Sequence, residues 1–183
     1  MKRLCSLIIP VLGSLFLSGC SEDAENLYTN RPAYFVYQYV QSAPQLYTSL
    51  NNPGEFSTIQ LDRQQYVIRN LAGETRINQT ALASYSSFHL GLAGFIVGLP
   101  NIPEPGAETS KVVCYDLACP NCYTQLMISA SLQLRESGKA FCSRCSRIYE
   151  LNNGGIIGKG ENGSSLFRYR ITYDGRTVVI NNQ

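Results

Sequence analysis

Four of the seven cysteines form two Cys-x2-Cys pairs. Cys119 and Cys122 make the first pair, nineteen residues separate the pairs, and Cys142 and Cys145 make the second. Two such pairs about 15 to 20 residues apart are typical of tetrahedral metal sites, because each pair folds into a tight turn whose two sulfurs point at one ion. Each turn is called a knuckle below. The spacing predicts that these four cysteines bind a metal.

The N-terminus predicts an exported lipoprotein. Two basic residues precede an apolar run from Leu4 to Leu17, which is shorter than the roughly 20 residues that cross a bilayer. The run ends in Leu-Ser-Gly-Cys20, which resembles the lipobox of bacterial lipoproteins. We therefore expect cleavage of residues 1–19 as a signal peptide, lipid attachment at Cys20 and a tether over residues 20–31.

Charge and anchoring together restrict the partners. The chain carries 15 Lys and Arg residues and 13 Asp and Glu residues, and loss of Lys2 and Arg3 with the signal peptide leaves 13 of each sign. A neutral mature chain is not expected to bind nucleic acid. The expected partners are the membrane, reached through the lipid anchor, and a redox or protein partner. The expected location is the cell envelope, at the outer membrane, on its periplasmic or its surface side.

Disulfides are the main alternative to a metal, because exported thiols meet an oxidising environment. A disulfide within one knuckle would stabilise the fold by only about 2 kcal/mol, and a crosslink between knuckles by roughly 3.5 kcal/mol. Structural zinc contributes about 10 to 16 kcal/mol in small peptides. Metal is therefore favoured if it reaches the thiols before an oxidant does. A catalytic dithiol at Cys119 and Cys122 is a third alternative, although no βαβ pattern surrounds that pair.

Short apolar runs separated by turn residues predict an all-β fold, with residues 32–183 as one domain. The only helix that the pattern allows is a short one over residues 78–90, and the many serines of this stretch favour a loop equally. Asp174-Gly175 predicts a tight hairpin near the C-terminus. The predicted strands are 34–40, 56–61, 64–69, 93–99 and 111–117, and the predicted hairpin arms are 166–173 and 176–181.

No other set of residues has the spacing of a catalytic site, so enzymatic activity is not expected. His89, the only histidine, has no partner at ligand spacing and is interpreted as a structural or surface residue. Cys114 lies on a predicted strand five residues before the first knuckle and is expected to be a buried apolar thiol. Arg144 and Arg147 lie in and just after the second knuckle. They either lower the pKa of nearby thiols or are solvated.

Three stretches contain or follow the knuckles: VVCYDLACPNC (112–122), FCSRCSRIYELNNGG (141–155) and SLFRYRITYDGRTVVI (165–180). They resemble the Rieske iron-sulfur domain family, particularly its bacterial lipoproteins, and the resemblance extends over about residues 34–182. The family has a Cys-Pro-His loop after an acidic strand end, then a Cys-x-x-His loop, then a tyrosine-bearing hairpin. The resemblance implies a β sandwich or barrel base with a small rubredoxin-like metal-binding subdomain at about residues 114–151.

The chain differs from this family at the metal ligands. A Rieske centre binds one iron through two cysteines and the other through two histidines, but the two histidine positions hold Asn121 and Cys145, and His89 lies outside both loops. The four knuckle cysteines are therefore expected to form an all-cysteine site for zinc, for a single iron or for a [2Fe–2S] cluster. With zinc the site would have a purely structural role, whereas with iron the protein would be an electron carrier. Paired disulfides would leave a disulfide-stabilised binding module.

Overall fold

Three antiparallel sheets and two α-helices make up the part of the chain that the computed structural model describes, residues 27–79, 88–136 and 138–182. The elements are β1 (Ala33–Tyr37), α1 (Pro44–Asn51), β2 (Glu55–Asp62), β3 (Gln65–Arg69), β4 (Glu74–Asn78), β5 (His89–Leu90), β6 (Phe95–Leu99), β7 (Val113–Asp116), α2 (Pro120–Leu126), β8 (Gln133–Arg135), β9 (Lys139–Phe141), β10 (Ile148–Glu150), β11 (Ile156–Lys159), β12 (Arg168–Tyr169), β13 (Ile171–Tyr173) and β14 (Val178–Asn181). The fold is all-β, as the sequence predicts.

The predicted signal peptide over residues 1–19, the predicted lipidation site Cys20 and the tether as far as residue 26 lie outside the described residues. Within the described ranges, neither helix has the length and apolar character that crossing a bilayer requires.

The largest sheet lies between the other two. Its six strands run in the order β12-β7-β6-β2-β3-β4. One face packs against the sheet β13-β14-β1-β5 and helix α1, and the other packs against the sheet β11-β10-β9-β8 and helix α2. The last of these sheets carries the second knuckle, so the six-stranded sheet is the base on which the cysteine region rests.

The two faces of the six-stranded sheet carry two separate hydrophobic cores. Successive side chains of a strand point to opposite faces, so Cys114 enters one core while its neighbours Val113 and Tyr115 enter the other. Core A includes Phe35, Leu46, Leu50, Ile59, Tyr66, Ile68, Phe95, Val97, Cys114, Tyr169, Val178 and Ile180. Core B includes Phe56, Ile96, Val113, Tyr115, Leu117, Cys119, Cys122, Leu132, Ala140, Cys142, Tyr149, Leu151 and Leu166.

Helix α1 (Pro44–Asn51) is not predicted by the sequence pattern. It begins with a proline in its first turn, where the missing N–H has no intrahelical partner to lose. Leu46 and Leu50 pack into core A. A helix of eight residues is marginal on its own, so tertiary packing supplies most of its stability. The helix that the pattern does predict, over residues 78–90, lies mostly outside the described residues, and its two described ends belong to β4 and β5.

Most predicted strands overlap an observed one: β2, β3, β6 and β7 lie where the pattern places them. The predicted strand 34–40 is shorter in the structure, because β1 ends at Tyr37 and a 3-10 turn begins at Val40. The C-terminal hairpin is confirmed as β13 and β14, with Tyr173 paired to Val178.

The predicted two-residue turn of this hairpin is wrong. The loop covers residues 174–177, and only Gly175 has a positive φ, of 91°. Asp174 Oδ1 instead accepts the N–H groups of Arg176 and Thr177, at 2.9 and 2.6 Å. The aspartate side chain therefore closes the longer turn.

Candidate metal centre

The first knuckle joins β7 to α2. Cys119 has an extended backbone conformation, as expected for a residue before proline, and Pro120 begins the helix. The first turn of α2 then carries Cys122 back toward Cys119. The helix ends at Met127, which adopts the left-handed conformation with φ 55°. Both sulfurs of this knuckle thus lie at the N-terminal end of one short helix.

The second knuckle joins β9 to β10. Cys142 N–H donates to Arg147 O and Ser146 N–H donates to Cys142 O, both at 2.9 Å. Ser146 has a positive φ of 58°, which returns the chain toward β10. The backbone N–H groups of Arg144 and Cys145 point at the sulfur of Cys142. This tight turn is the local structure that the Cys-x2-Cys spacing predicts.

All four sulfurs lie within 4.8 Å of one another. The shortest pairs run between the knuckles: Cys119 Sγ to Cys145 Sγ is 3.6 Å, and Cys122 Sγ to Cys142 Sγ is 3.7 Å. A tetrahedron with metal–sulfur bonds of about 2.3 Å has sulfur–sulfur edges of about 3.8 Å. The four side chains could therefore bind one metal ion without a large rearrangement.

The five cysteines of the described residues are all free thiols. A disulfide needs two sulfurs about 2.05 Å apart, which is much shorter than the 3.6 and 3.7 Å of the nearest pairs. These nearest pairs join opposite knuckles. The two cysteines of one knuckle are therefore not the best placed for a disulfide.

A buried tyrosine supports the first knuckle. The hydroxyl of Tyr149 lies 3.1 Å from Cys119 Sγ, and Asn121 Nδ2 donates to the same hydroxyl at 2.9 Å. Because the tyrosine oxygen accepts from the amide, its proton is free to be donated to the sulfur. A hydrogen bond of this kind stabilises the thiolate form, which is the form that binds metals.

Of the two arginines of the second knuckle, only Arg147 is buried, with 3% of its surface exposed, while Arg144 is exposed. The guanidinium of Arg147 lies against Cys145, and this contact helps to lower the pKa of that thiol. Its Nε also donates to Glu161 O at 2.9 Å. A tetrathiolate site with a divalent ion has a net charge of about −2, so a buried cation in contact with one sulfur offsets part of that charge.

Both knuckles also hold the loop of residues 160–165, here called the clasp loop. Asn121 exchanges two hydrogen bonds of 3.0 Å with the backbone of Ser164, and Arg147 Nη2 donates to Asn162 O at 3.3 Å. Gly163 approaches so closely that a Cβ there would lie 2.0 Å from Asn121 Oδ1. The loop is thus tied to residues of each knuckle.

The thiols differ in their acidity. Burial raises the pKa of Cys122 and of Cys142. Burial acts in the same direction on Cys145, but hydrogen bonds from the backbone N–H and the side chain of Arg147 and from the neighbouring thiols outweigh it and lower the pKa to about 7. Cys145 is also the only half-buried member of the four. It is therefore the thiol that ionises most readily among these three.

Metal affinity is expected to rise steeply with pH. The raised pKa values of Cys122 and Cys142 keep both thiols protonated at neutral pH in the metal-free protein, so metal binding must release at least two protons. Cys145 adds a third below its pKa of about 7. We expect affinity to increase at least about 100-fold per pH unit near pH 8, and more steeply below pH 7. Competition with a chromogenic chelator across this range measures the slope, and a flat profile would contradict the assignment.

A buried carboxylate supports the strand end before the first knuckle. Asp116 Oδ1 accepts the N–H of Ala118 at 2.7 Å, and its Oδ2 accepts the Leu92 N–H at 2.8 Å and the Tyr169 hydroxyl at 2.6 Å. Burial raises the pKa of Asp116, and these hydrogen bonds oppose the rise. Asp116 therefore fixes the residue directly before Cys119.

Asp116→Asn is expected to destabilise the protein by about 2 to 3 kcal/mol, because the amide NH2 faces backbone donors and at least one buried N–H loses its acceptor. Urea unfolding measures the change. Asp62→Asn is the matched control, since the Asp62 side chain is 54% exposed and its pairing with Arg76 is a surface contact. Equal stability of the two variants would show that Asp116 does not support the knuckle.

The structure brings together all four cysteines that the spacing singles out, and it places the other candidates elsewhere. Cys114 is buried in core A, on the opposite face of the sheet, where burial raises the pKa of its thiol. The prediction of a buried apolar thiol is confirmed. His89 is exposed on β5, away from both knuckles, also as predicted.

Sequence reasoning missed the residues that support the cysteines. Tyr149 and Asn121 meet across core B, although 28 positions separate them in the chain. Asp116 and Tyr169 are 53 positions apart. The only available signal was local: an acidic residue three positions before Cys119 and a tyrosine four positions after Cys145.

No model of a protein family matched the chain, and no curated protein matched it significantly.

Proposed function

We propose that this chain is a lipid-anchored protein of the cell envelope in which Cys119, Cys122, Cys142 and Cys145 bind one structural zinc ion. The sulfur geometry carries the proposal. The nearest pairs, at 3.6 and 3.7 Å, have the length of a tetrahedral edge around one ion. The protein then acts as a non-enzymatic binding domain, and the metal stabilises its knuckle region.

The compact sulfur arrangement favours one ion over a two-iron cluster. In a [2Fe–2S] cluster each iron binds its own pair of thiolates and sulfides bridge the irons, so thiolates on different irons lie farther apart than thiolates that share an ion. The two short pairs here, Cys119–Cys145 and Cys122–Cys142, share no residue, and no sulfur is more than 4.8 Å from another. That spacing supports a mononuclear site.

Burial of the sulfurs favours a structural role. Cys119, Cys122 and Cys142 are members of core B and are at most 2% exposed. A metal that joins three core side chains from two separate chain segments adds directly to folding stability. Zinc suits this role because it is redox-silent and takes four thiolates tetrahedrally.

A single iron, and with it electron transfer, is the second candidate. Hydrogen bonds to the ligand sulfurs set the reduction potential of iron–sulfur sites, and Cys119 and Cys145 each have a side-chain donor, from Tyr149 and Arg147. Cys145 is half-buried, which would bring the metal near the surface. If the resident ion is iron, the hydrogen bonds would set its reduction potential, and the position near the surface would allow electron transfer to a partner.

The resemblance to Rieske domains supports the fold part of the proposal but not Rieske chemistry. Asn121, at the first histidine position, binds Tyr149 and the clasp loop. Cys145, at the second, lies in the sulfur cluster. The membrane part of the proposal rests on the N-terminal sequence, where the signal-like run ends at Cys20.

Metal content and the visible spectrum of protein purified without added metal test the proposal. One zinc per chain and no visible absorption are expected. One iron per chain with a red colour would rule out structural zinc and support the electron-transfer candidate. Two irons with a brown colour would contradict the mononuclear site. Absence of metal together with a mass four hydrogens lower would show two disulfides and overturn both candidates.

A further inference from the structure

An exposed apolar surface lies where the chain enters the fold. Leu27, the first described residue, is 48% exposed, and Ile102 is 54% exposed. Both line one cavity of about 300 Å³ together with Pro103 and Pro105, which are also exposed. These four residues are called the entry face. They come from two chain segments that are far apart in sequence, so the face is a product of the fold.

The charge beside the entry face is compensated. The connection between β6 and β7 carries Glu104, Glu108 and Lys111, and of these only Glu104 lines the cavity. The Glu104 carboxylate pairs with Arg168 Nη1. The Arg168 side chain is only 8% exposed and lines the same cavity. The carboxylate that lies beside the exposed apolar groups of the cavity is therefore paired with a buried cation.

The entry point is fixed to the body of the domain. Thr29 N–H donates to Arg168 O at 2.9 Å, and Asn182 Nδ2 donates to Arg31 O at 3.2 Å. The guanidinium of Arg31 also lies 4.3 Å from the centre of the Tyr123 ring. Leu27, the first described residue, is therefore held in place at the entry face.

The predicted lipid anchor lies close to this point in the chain. Cys20 precedes Leu27 by seven residues, and seven residues extend at most about 25 Å. A domain of this size is about 40 Å across, from a radius of gyration near 15 Å. In a protein anchored at Cys20, the entry face is therefore held within about 25 Å of the bilayer, which is less than the width of the domain. The effective concentration of the entry face at the bilayer surface is then high.

We propose that the entry face contacts the lipid bilayer. Burial of Ile102, Leu27 and the two prolines at the interface removes apolar surface from water. The inference rests on the proposed lipid anchor and not on the proposed metal. It also sets an orientation, with the entry face toward the membrane.

The absence of tryptophan from the chain allows a direct test. Ile102→Trp would place a single tryptophan on the entry face. Leu61→Trp would place one on β2, on a side chain that is 48% exposed and lies six residues, or about 20 Å, from Glu55, whose partner Leu99 precedes the entry-face loop. Each mature lipidated variant is reconstituted into vesicles with and without brominated acyl chains. We expect the brominated lipid to reduce the fluorescence at position 102 about twofold, with emission at shorter wavelength, because an interfacial side chain reaches about 5 to 10 Å into the headgroup and acyl boundary. Fluorescence at position 61 is expected to stay unchanged.

Three outcomes would overturn the inference. Equal quenching at positions 102 and 61 would mean that the domain has no preferred orientation. An unquenched tryptophan at position 102 in vesicle-bound protein would mean that the entry face does not contact lipid and is exposed to water or to a protein partner. Failure of the protein to float with vesicles would remove the anchor on which the inference rests. Metal content measured on the same samples reports on the proposed zinc site separately.

Discussion

Removal of the metal by a chelator is expected to unfold the segment between Leu117 and Leu166 while core A remains folded. Core B draws nine of its buried members from that segment, including three metal-binding cysteines. Core A takes no residue from it. Structural zinc is worth about 10 to 16 kcal/mol in small peptides, which is as much as the whole stability of a typical domain. We expect the loss of a contribution of this size to exceed what the remaining contacts of the segment supply.

Hydrogen exchange measured by mass spectrometry can locate this change. Peptides from α2 and from β8 to β11 are expected to lose protection after chelation, while peptides from β1, α1 and β14 keep it. Retained protection in the knuckle segment of metal-free protein would contradict a structural role for the metal. It would then favour a site in which the metal performs redox chemistry on a preformed scaffold.

The matched variants are Cys142→Ser and Cys114→Ala. Cys142→Ser is expected to abolish stoichiometric metal binding and to lower the melting temperature by about 10 °C or more, since it removes one of four ligands from core B. Cys114→Ala also removes a buried thiol, but from core A, so it is expected to keep one metal per chain and to lose only about 1 kcal/mol of stability. Loss of metal from Cys114→Ala would contradict the assignment of the ligands.

Arg147→Gln is expected to weaken metal binding by about 10- to 100-fold, the usual effect of removing a residue that supports a ligand from outside the coordination sphere. Its guanidinium contacts Cys145 and holds the backbone of the clasp loop through Glu161 and Asn162. Glutamine keeps an amide donor but loses the positive charge. The negative charge of the tetrathiolate would then lack its buried counter-charge, and the affinity should fall.

Arg144→Gln provides the control within the same knuckle. It removes the same charge two residues from Cys142, but the Arg144 side chain is exposed, so water already screens it. Affinity within about twofold of the unmodified protein is expected. Competition titration against a zinc chelator measures both variants. An equal loss for both would indicate that only the total charge matters and not the buried contact of Arg147.

Much of the metal centre can be predicted because its ligands are local in sequence. Each knuckle is a four-residue unit, so spacing alone identifies Cys119, Cys122, Cys142 and Cys145. The choice between Arg144 and Arg147 cannot be predicted in the same way. It depends on how β10 and the clasp loop pack around the second knuckle, which leaves one guanidinium 3% exposed and the other in solvent.

Strands and helices also differ in how well the sequence predicts them. The strands β3 and β6 each have three consecutive β-branched or aromatic residues, and β2 and β7 also contain such residues, so the local preference agrees with the fold. Helix α1 has only Leu46 and Leu50 at helical spacing among its core residues, and its stability comes from core A. The eight residues of α1 alone therefore give little indication that this segment is helical.

The sequence by itself determined the four-cysteine set, the all-β character and the C-terminal hairpin, because each depends on neighbouring residues and on local backbone preference. The tertiary structure alone decided that the sulfurs of opposite knuckles lie at tetrahedral distance, that Tyr149 and Arg147 support them, and that Cys114 lies in a separate core. These features depend on the packing of chain segments on the two faces of one sheet. Spacing along the chain does not encode that packing directly.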